Sequence, residues 1–306
     1  LGTRWGEADV LAGGTDLISL MKDYLHTPKR VVNVKGIKEL AGISKTGAGL
    51  RIGAIVTVDE LLNNSAVRAE YPSLIQAARG IASPQIRNMG TIGGDLCQRP
   101  RCWYFRTGNG LLAMKDGKSL VVSGDNRYHA IFSSGPAYFV SASSFGPPLI
   151  ALGAKVKLTS ATGSREVEVA KFFVTPQNES SREIALLPNE ILTEILVPSA
   201  QGVKNATYEV RHKDALDWPL VTASVALKMK GNTVESAKVV LGHVAPTPYV
   251  AAAVERALAG KTINESVAEA AGEAAVENAK PLSDNGYKVQ LVKVAVKRAL
   301  LEAVKA

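Results

Sequence analysis

The chain has 306 residues, enough for two domains and a sizeable core, and its 46% hydrophobic and 21% charged composition is that of an ordinary globular protein. Two cysteines exclude a disulfide framework, and the apolar stretches are too short or too interrupted for a membrane span. The formal charge of +8 permits an acidic partner or an anionic cofactor, but the basic residues are scattered, so no stripe of the kind that binds nucleic acid is visible.

The opening LGTRWGEADVLAGG has neither Met nor a signal-like segment and reads as starting inside a domain, with a further N-terminal piece expected before it. LAGGTDLISLMKD (11–23) then reads as strand, turn and helix. Gly13 and Gly14 let the backbone turn tightly and approach a ligand, and Thr15 is the expected N-cap of DLISLMKD. Free amides at such a turn suit a phosphate, although an ordinary capped turn explains the same spacing. RVVNV (30–34) and LRIGAIVT (50–57) read as strands. Thr57 and Glu60 form a capping box in front of VDELLNNSAVRAEY, and SLIQAARGIAS after Pro72 is a second helix. GTIGGD (90–95) is a second glycine turn, so two turns could clasp one diphosphate from two sides. Neither has the spacing of a Rossmann fingerprint or a P-loop.

From Cys97 to Phe145 the chain has little periodicity and reads as a long excursion, of the kind that is functional or disordered. It holds both cysteines, Cys97 and Cys102, and the one dense cationic group outside KVAVKR: Arg99, Arg101 and Arg106. With no third cysteine an all-cysteine cluster cannot form, and two reduced thiols, one or both of them buried, are expected. His26, His129, His212 and His243 are too dispersed in sequence for a metal site, and each is expected to be a satisfied structural histidine. LIALGAKVKLTS returns to a strand pattern, and EILTEILVP (190–198) is the last strand of this part. VTASVALKMK and TVESAKVVLGHVA, joined by Gly231-Asn232, form a hairpin. The remainder is helical, with Val289, Val292, Val296, Ala299 and Ala303 on one face of the last helix. This order implies a separate small α+β domain.

LAGGTDLISLMK, LRIGA, IASPQIRNMGTIGGDL, ALGAKVKL and NEILTEILVP, in this order, resemble the FAD-binding medium subunit of the molybdenum hydroxylases, the xanthine dehydrogenase, carbon monoxide dehydrogenase and aldehyde oxidoreductase family. SAKVVLGHVAPTP is similar to that family's small C-terminal domain. The resemblance implies an α+β fold: a two-subdomain FAD-binding domain of the vanillyl-alcohol-oxidase (PCMH) type over 1–198, and a C-terminal domain of sheet plus helices over 203–306. It implies that Ala12, Gly13, Gly14, Thr15, Asp16 and Leu17 line the FAD diphosphate. Thr91, Gly93, Gly94 and Asp95 would close on it, with Ile81 and Leu192 flanking the flavin.

QRPRCWYFR resembles a branch whose flavin subunit carries a four-iron cluster in a long insertion (about 97–145 here). This chain keeps the frame and Cys102 but has no cysteine in LLAMKDGKSLVVSG or GPAYFVSASSFGPPL, and Ser144 stands where relatives have Asp. Cys97 matches no family ligand, and no cluster and no metal site are expected here. The implied role is an FAD-carrying electron-transfer subunit that passes electrons from iron–sulfur clusters of a partner to an acceptor, with no acid, base or nucleophile of its own. The implied partners are a molybdenum-cofactor large subunit and a small subunit with 2Fe-2S clusters, with neither nucleic acid nor a membrane span. The compartment stays open between cytoplasm and periplasm. Two alternatives remain: a flavin-free subunit that bridges partners, and a stand-alone FAD oxidoreductase.

Overall fold

The computed structural model of the chain describes residues 1–214 and 216–305. β1 (Asp9–Leu11) and β2 (Val31–Asn33) pair in parallel, which requires a crossover, and α1 (Leu17–Lys22) supplies it. The first glycine turn is the link from β1 to α1. β3 (Ile43–Thr46) and β4 (Gly49–Gly53) form an antiparallel hairpin. α2 (Val58–Asn63) starts at the expected capping box, in which Thr57 Oγ1 accepts from Glu60 N at 3.1 Å and Glu60 Oε2 accepts from Thr57 N at 2.7 Å. α3 (Ser65–Glu70), α4 (Pro72–Gly80), α5 (Pro84–Met89) and α6 (Ile92–Cys97) follow, and the second glycine turn leads into α6.

The excursion holds α7 (Trp103–Arg106), a hairpin of β5 (Met114–Lys115) and β6 (Lys118–Ser119), and α8 (Leu120–Ser123). It is fixed by a small core of its own, in which Phe105, Leu111, Leu112, Ala137 and Phe139 pack on Leu20 of α1. The strand expected across LIALGAKVKLTS starts later than its pattern implies. Ile150 and Ala151 belong to α9 (Gly146–Ala151), and β7 is Lys155–Ser160. Pro147 and Pro148 explain the difference, because proline in a first turn has no amide to lose and a φ already suited to a helix. β8 (Gly163–Glu168), α10 (Val169–Phe172) and β9 (Ile191–Pro198) complete this part. Its sheet runs β3-β4-β9-β7-β8, antiparallel throughout, and buries Ile52, Val156, Leu158 and Ile195 against Leu74 and Ala78 of α4 and Ile92 of α6.

The second sheet begins with β10 (Val203–Val210), a strand absent from the sequence reading. β11 (Val221–Lys230) and β12 (Thr233–Gly242) form the expected hairpin, turning at Gly231 with φ +58°, and β13 (Tyr249–Val250) completes the order β10-β11-β12-β13. α11 (Ala252–Leu258), α12 (Glu265–Ala274) and α13 (Tyr287–Lys305) cover one face. Val292, Val296, Ala299 and Ala303 are fully buried there, with Val289 packed at the edge, as their spacing predicts. Among the described residues no helix is long and apolar enough to cross a membrane.

Candidate functional site

Gly14 has a φ of +75°, a left-handed conformation that glycine adopts freely. Gly13 lies against the chain leaving α5: a Cβ added there would stand 1.8 Å from the carbonyl oxygen of Met89. The two glycine turns therefore touch through backbone. The cap of α1 differs from the expectation. Asp16, not Thr15, is its N-cap residue, and the Asp16 side chain makes no capping bond. The carboxylate is drawn away by the arginines of the excursion: Oδ1 receives Arg106 Nη2 at 2.7 Å and Arg101 Nη2 at 3.2 Å, and Oδ2 receives the Arg99 amide at 2.8 Å. Arg99 also pairs with Glu183 at 2.6 Å. The dense cationic group thus faces inward and holds the excursion to the first turn. Among the described residues, the backbone amides of Gly14, Thr15 and Asp16 donate to nothing.

The amides of the second turn are engaged internally. Ile92 N donates to Val56 O and Gly93 N to Ala54 O, both at 2.9 Å, and Gly94 N donates to Thr91 Oγ1 at 3.0 Å. Gly93 is needed for close packing, since a Cβ there would meet Ala54 O at 2.8 Å. Asp95 is a partly buried carboxylate at a seam. Its oxygens receive Ser143 Oγ at 2.5 Å, Phe145 N at 3.0 Å, Ser144 N at 3.2 Å and Gln98 Nε2 at 2.9 Å. Burial raises its pKa, and these donors oppose the shift. Asp95 thereby fixes Ser144, which stands on the cavity wall.

A cavity of about 240 Å³ lies between the two turns. Of the residues singled out by sequence, Thr15, Ile81, Thr91, Gly94 and Asp95 line it. Asp16 and Leu17 border a neighbouring cavity of about 120 Å³ with Trp5, His26, Arg99 and Arg182. Ala12 follows β1 and leads into Gly13. Gly93 is buried, and Leu192 lies in the core of the five-stranded sheet, outside the cavity lining. Sequence reasoning missed Ile86, Gln98 and Arg101 as walls of the cavity, and the Leu216–Pro219 stretch, which closes it from the side of the second sheet. The Arg101 guanidinium lies 4.9 Å from the ring centre of Trp218. Only the Gly-rich dipeptides signal a ligand in one dimension, because these other walls come from separate elements.

Arg101 and Trp218 are shared with a second cavity of about 230 Å³. Around it the fold brings together Cys102, His129, His212 and His243, which the sequence scatters. Cys102 Sγ lies 3.1 Å from His129 Nε2, and His243 Nδ1 lies 3.1 Å from Thr222 Oγ1. Burial pushes His129 down to about 4 and His243 to about 3, so both are neutral at neutral pH. Lys288 is buried and donates to the carbonyls of Tyr128, His129 and His243, tying the excursion to α13. Among the described residues no three His, Cys, Asp or Glu side chains are grouped to hold a metal ion. Both thiols are free and partly, rather than fully, buried.

FAD fits the first cavity on the chemistry of its donors. Thr15 lines the cavity in a turn whose amides at Gly14, Thr15 and Asp16 are open among the described residues and suit a diphosphate, and Ile81 offers an apolar surface for a ring. The family described as the FAD binding domain in molybdopterin dehydrogenase matches residues 3–200, and the CO dehydrogenase flavoprotein C-terminal domain matches 206–303. The chain is 31% identical over 301 residues to the aldehyde oxidoreductase FAD-binding subunit PaoB of Escherichia coli, covering 97% of this chain and 91% of that one. It is 30% identical over 305 residues to the carbon monoxide dehydrogenase medium chain of Hydrogenophaga pseudoflava, covering 98% and 90%. Reconstituted CO dehydrogenase from Oligotropha carboxidovorans superposes with a TM-score of 0.76 at 28% identity, covering 97% of this chain and 90% of that one.

Proposed function

Because the chain belongs to the FAD-binding family of molybdopterin dehydrogenases, we propose that it is the flavin-carrying, electron-transferring subunit of a multi-subunit molybdenum hydroxylase. Residues 1–198 form its flavin domain and 203–306 its C-terminal domain in this reading. The observation that carries the reading is the cavity between the two turns, lined by Thr15, Ile81, Thr91 and Gly94, beside a first turn whose amides at Gly14, Thr15 and Asp16 are unengaged among the described residues. The amides would hold the diphosphate, and Ile81 would pack on the isoalloxazine. Gly13 keeps the two turns in register. The Asp16 carboxylate, neutralised by Arg101 and Arg106, would not repel the phosphates.

Bound FAD would supply the electron exchange, while this chain supplies binding, orientation and electrostatics. Substrate oxidation, of an aldehyde or a heterocycle, would occur on a large subunit with the molybdenum cofactor. A small subunit with 2Fe-2S clusters would deliver the electrons. The test is an absorbance spectrum of the chain purified with its native partners, with flavin and iron counted on this chain alone. A flavin band near about 450 nm at one flavin per chain is expected. A chain without flavin would refute the reading and leave a bridging subunit.

A further inference from the structure

The second cavity, of about 230 Å³, is the neighbour of the first across a thin wall. Arg101, Asp217, Trp218 and Pro219 line both cavities, so a single layer of side chains divides them. That wall is held in place. Arg101 Nη2 lies 3.2 Å from Asp16 Oδ1 and donates to Gln98 Oε1 at 3.2 Å, and the guanidinium covers the Trp218 ring at 4.9 Å. Arg101 Nη1 is bonded to nothing among the described residues.

The side of the second cavity away from that wall is aromatic. Trp103 and Tyr128 meet edge to face with ring centres 5.5 Å apart, and Tyr128 meets His212 in the same way at 6.2 Å. Tyr128 is 40% and Trp218 44% exposed, so the aromatic lining is open to solvent. Large rings left half bare around a cavity are surface that a ligand can cover. The Tyr128 hydroxyl and the His212 ring have no hydrogen-bond partner among the described residues, which leaves donors at the mouth. The remaining lining is apolar or already satisfied. Val140 and Leu220 are apolar, Cys102 Sγ lies 3.1 Å from His129 Nε2, and Lys288 donates to the carbonyls of Tyr128, His129 and His243. The buried ammonium is therefore not free to hold a phosphate. Drug-sized ligands occupy pockets of about 300 Å³ and more, so this cavity suits one or two fused rings and not a dinucleotide.

We propose that the second cavity is the site of the electron acceptor, and that the acceptor is a quinone of one or two rings. This rests on the flavin reading of the first cavity. A quinone is planar and uncharged and carries a carbonyl oxygen at each end. Its faces suit Trp103, Tyr128 and Trp218, and its oxygens suit Arg101 Nη1 on the wall and Tyr128 or His212 at the mouth. The Arg101 charge beside the inner oxygen favours the gain of electrons there. The quinone takes two electrons from the reduced flavin across the Arg101–Trp218 layer and two protons from water at the mouth, and leaves as the quinol. The two protons of the reduced flavin return to water on its own side, so electrons and protons balance. The wall keeps the two rings apart, so electrons cross it and hydride does not.

The test uses menadione, a two-ring quinone, on the purified complex. Equilibrium dialysis against the oxidised complex should find a menadione site on this chain. Tyr128→Ala removes an aromatic face and Val140→Trp fills the space, and each should weaken that site by about ten-fold or more. The complex is then reduced with dithionite and mixed with menadione, and reoxidation is followed in the visible flavin band. The rate should saturate with menadione, and the half-saturating concentration should rise about ten-fold in both variants. Ferricyanide, which takes electrons at a protein surface without entering a cavity, should reoxidise wild type and variants equally, at unchanged flavin content and melting temperature. A wild-type rate that stays proportional to menadione concentration would overturn the proposal, as would binding and half-saturation unchanged in Tyr128→Ala, whose half-exposed side chain can be removed without unfolding the chain. A wild-type complex with no flavin on this chain would overturn the functional reading itself, whatever menadione binds, and the acceptor role with it.

Discussion

Substituting Gly13 by alanine should separate the two glycine turns and weaken flavin binding. The Cβ would stand 1.8 Å from Met89 O and 2.6 Å from Met89 C, whereas real Cβ contacts are essentially never under 3.0 Å. The turns would have to part by about 1 Å or more at a backbone contact, where no side chain can rotate away. Overpacking of this kind costs about 1–3 kcal/mol. If the unliganded protein relaxes by opening the turns, and FAD must close them again, that cost falls on binding. At about 1.4 kcal/mol per decade the affinity drops by roughly 5- to 150-fold. Quenching of flavin fluorescence during titration of the stripped protein measures this directly. The melting temperature shows how much of the cost is carried by the unliganded fold. A variant with wild-type affinity and wild-type melting temperature would refute the claim that the turns are locked through Gly13.

Asp16→Asn removes the carboxylate shared by Arg101 and Arg106, and a broken, largely buried pair costs about 3 kcal/mol, so urea unfolding should show a loss of that order. A loss below about 1 kcal/mol would mean that the arginines find water. His243 has an unfolded value near 6.5 and a folded one of about 3, so the unfolded chain binds more protons between them and stability falls as pH drops. Wild type should lose about 3 kcal/mol relative to His243→Asn between pH about 7 and about 4, and parallel pH profiles would sink this. Asparagine is the replacement because His243 has a φ of +63°. Iron analysis should find none on this chain, and Cys102→Ser should leave the visible spectrum unchanged, while about four irons per chain would show a cluster held by other ligands.

Local grammar was legible where the deciding forces are local. The Thr57–Glu60 box, the Gly231-Asn232 turn and the apolar face of α13 depend on near neighbours, and each stands where its pattern places it. The cap of α1 was misread because a distant force decides it. Arginines more than eighty residues downstream outbid the helix amides for the Asp16 carboxylate. β10 escaped notice because one face has polar rungs matched to α4, so its apolar pattern is weak. The glycine dipeptides identified the two turns, but only the fold shows that they touch. The walls at Arg101, Ser144 and Trp218 come from separate segments whose meeting has no one-dimensional trace.

The excursion shows what can hold a long loop of irregular chain in place. A segment with little regular structure cannot satisfy its backbone through helix or sheet, so it needs anchors. Here there are three. Arg99, Arg101 and Arg106 tie its entrance to Asp16 and Glu183. Phe105, Leu111, Leu112, Ala137 and Phe139 give it an apolar centre seated on Leu20. Asn285 and Lys288 donate to carbonyls at Tyr128, His129 and Ala130 and fix its far end to α13. Cys102 packs at the margin of that apolar centre, beside His129. The arginine clamp also sets Arg101 against Trp218, and the exit of the loop delivers Ser144 to Asp95 on the cavity wall. The excursion is therefore a wall of the cavity proposed to hold the flavin, and loosening it should weaken flavin binding before it unfolds either sheet.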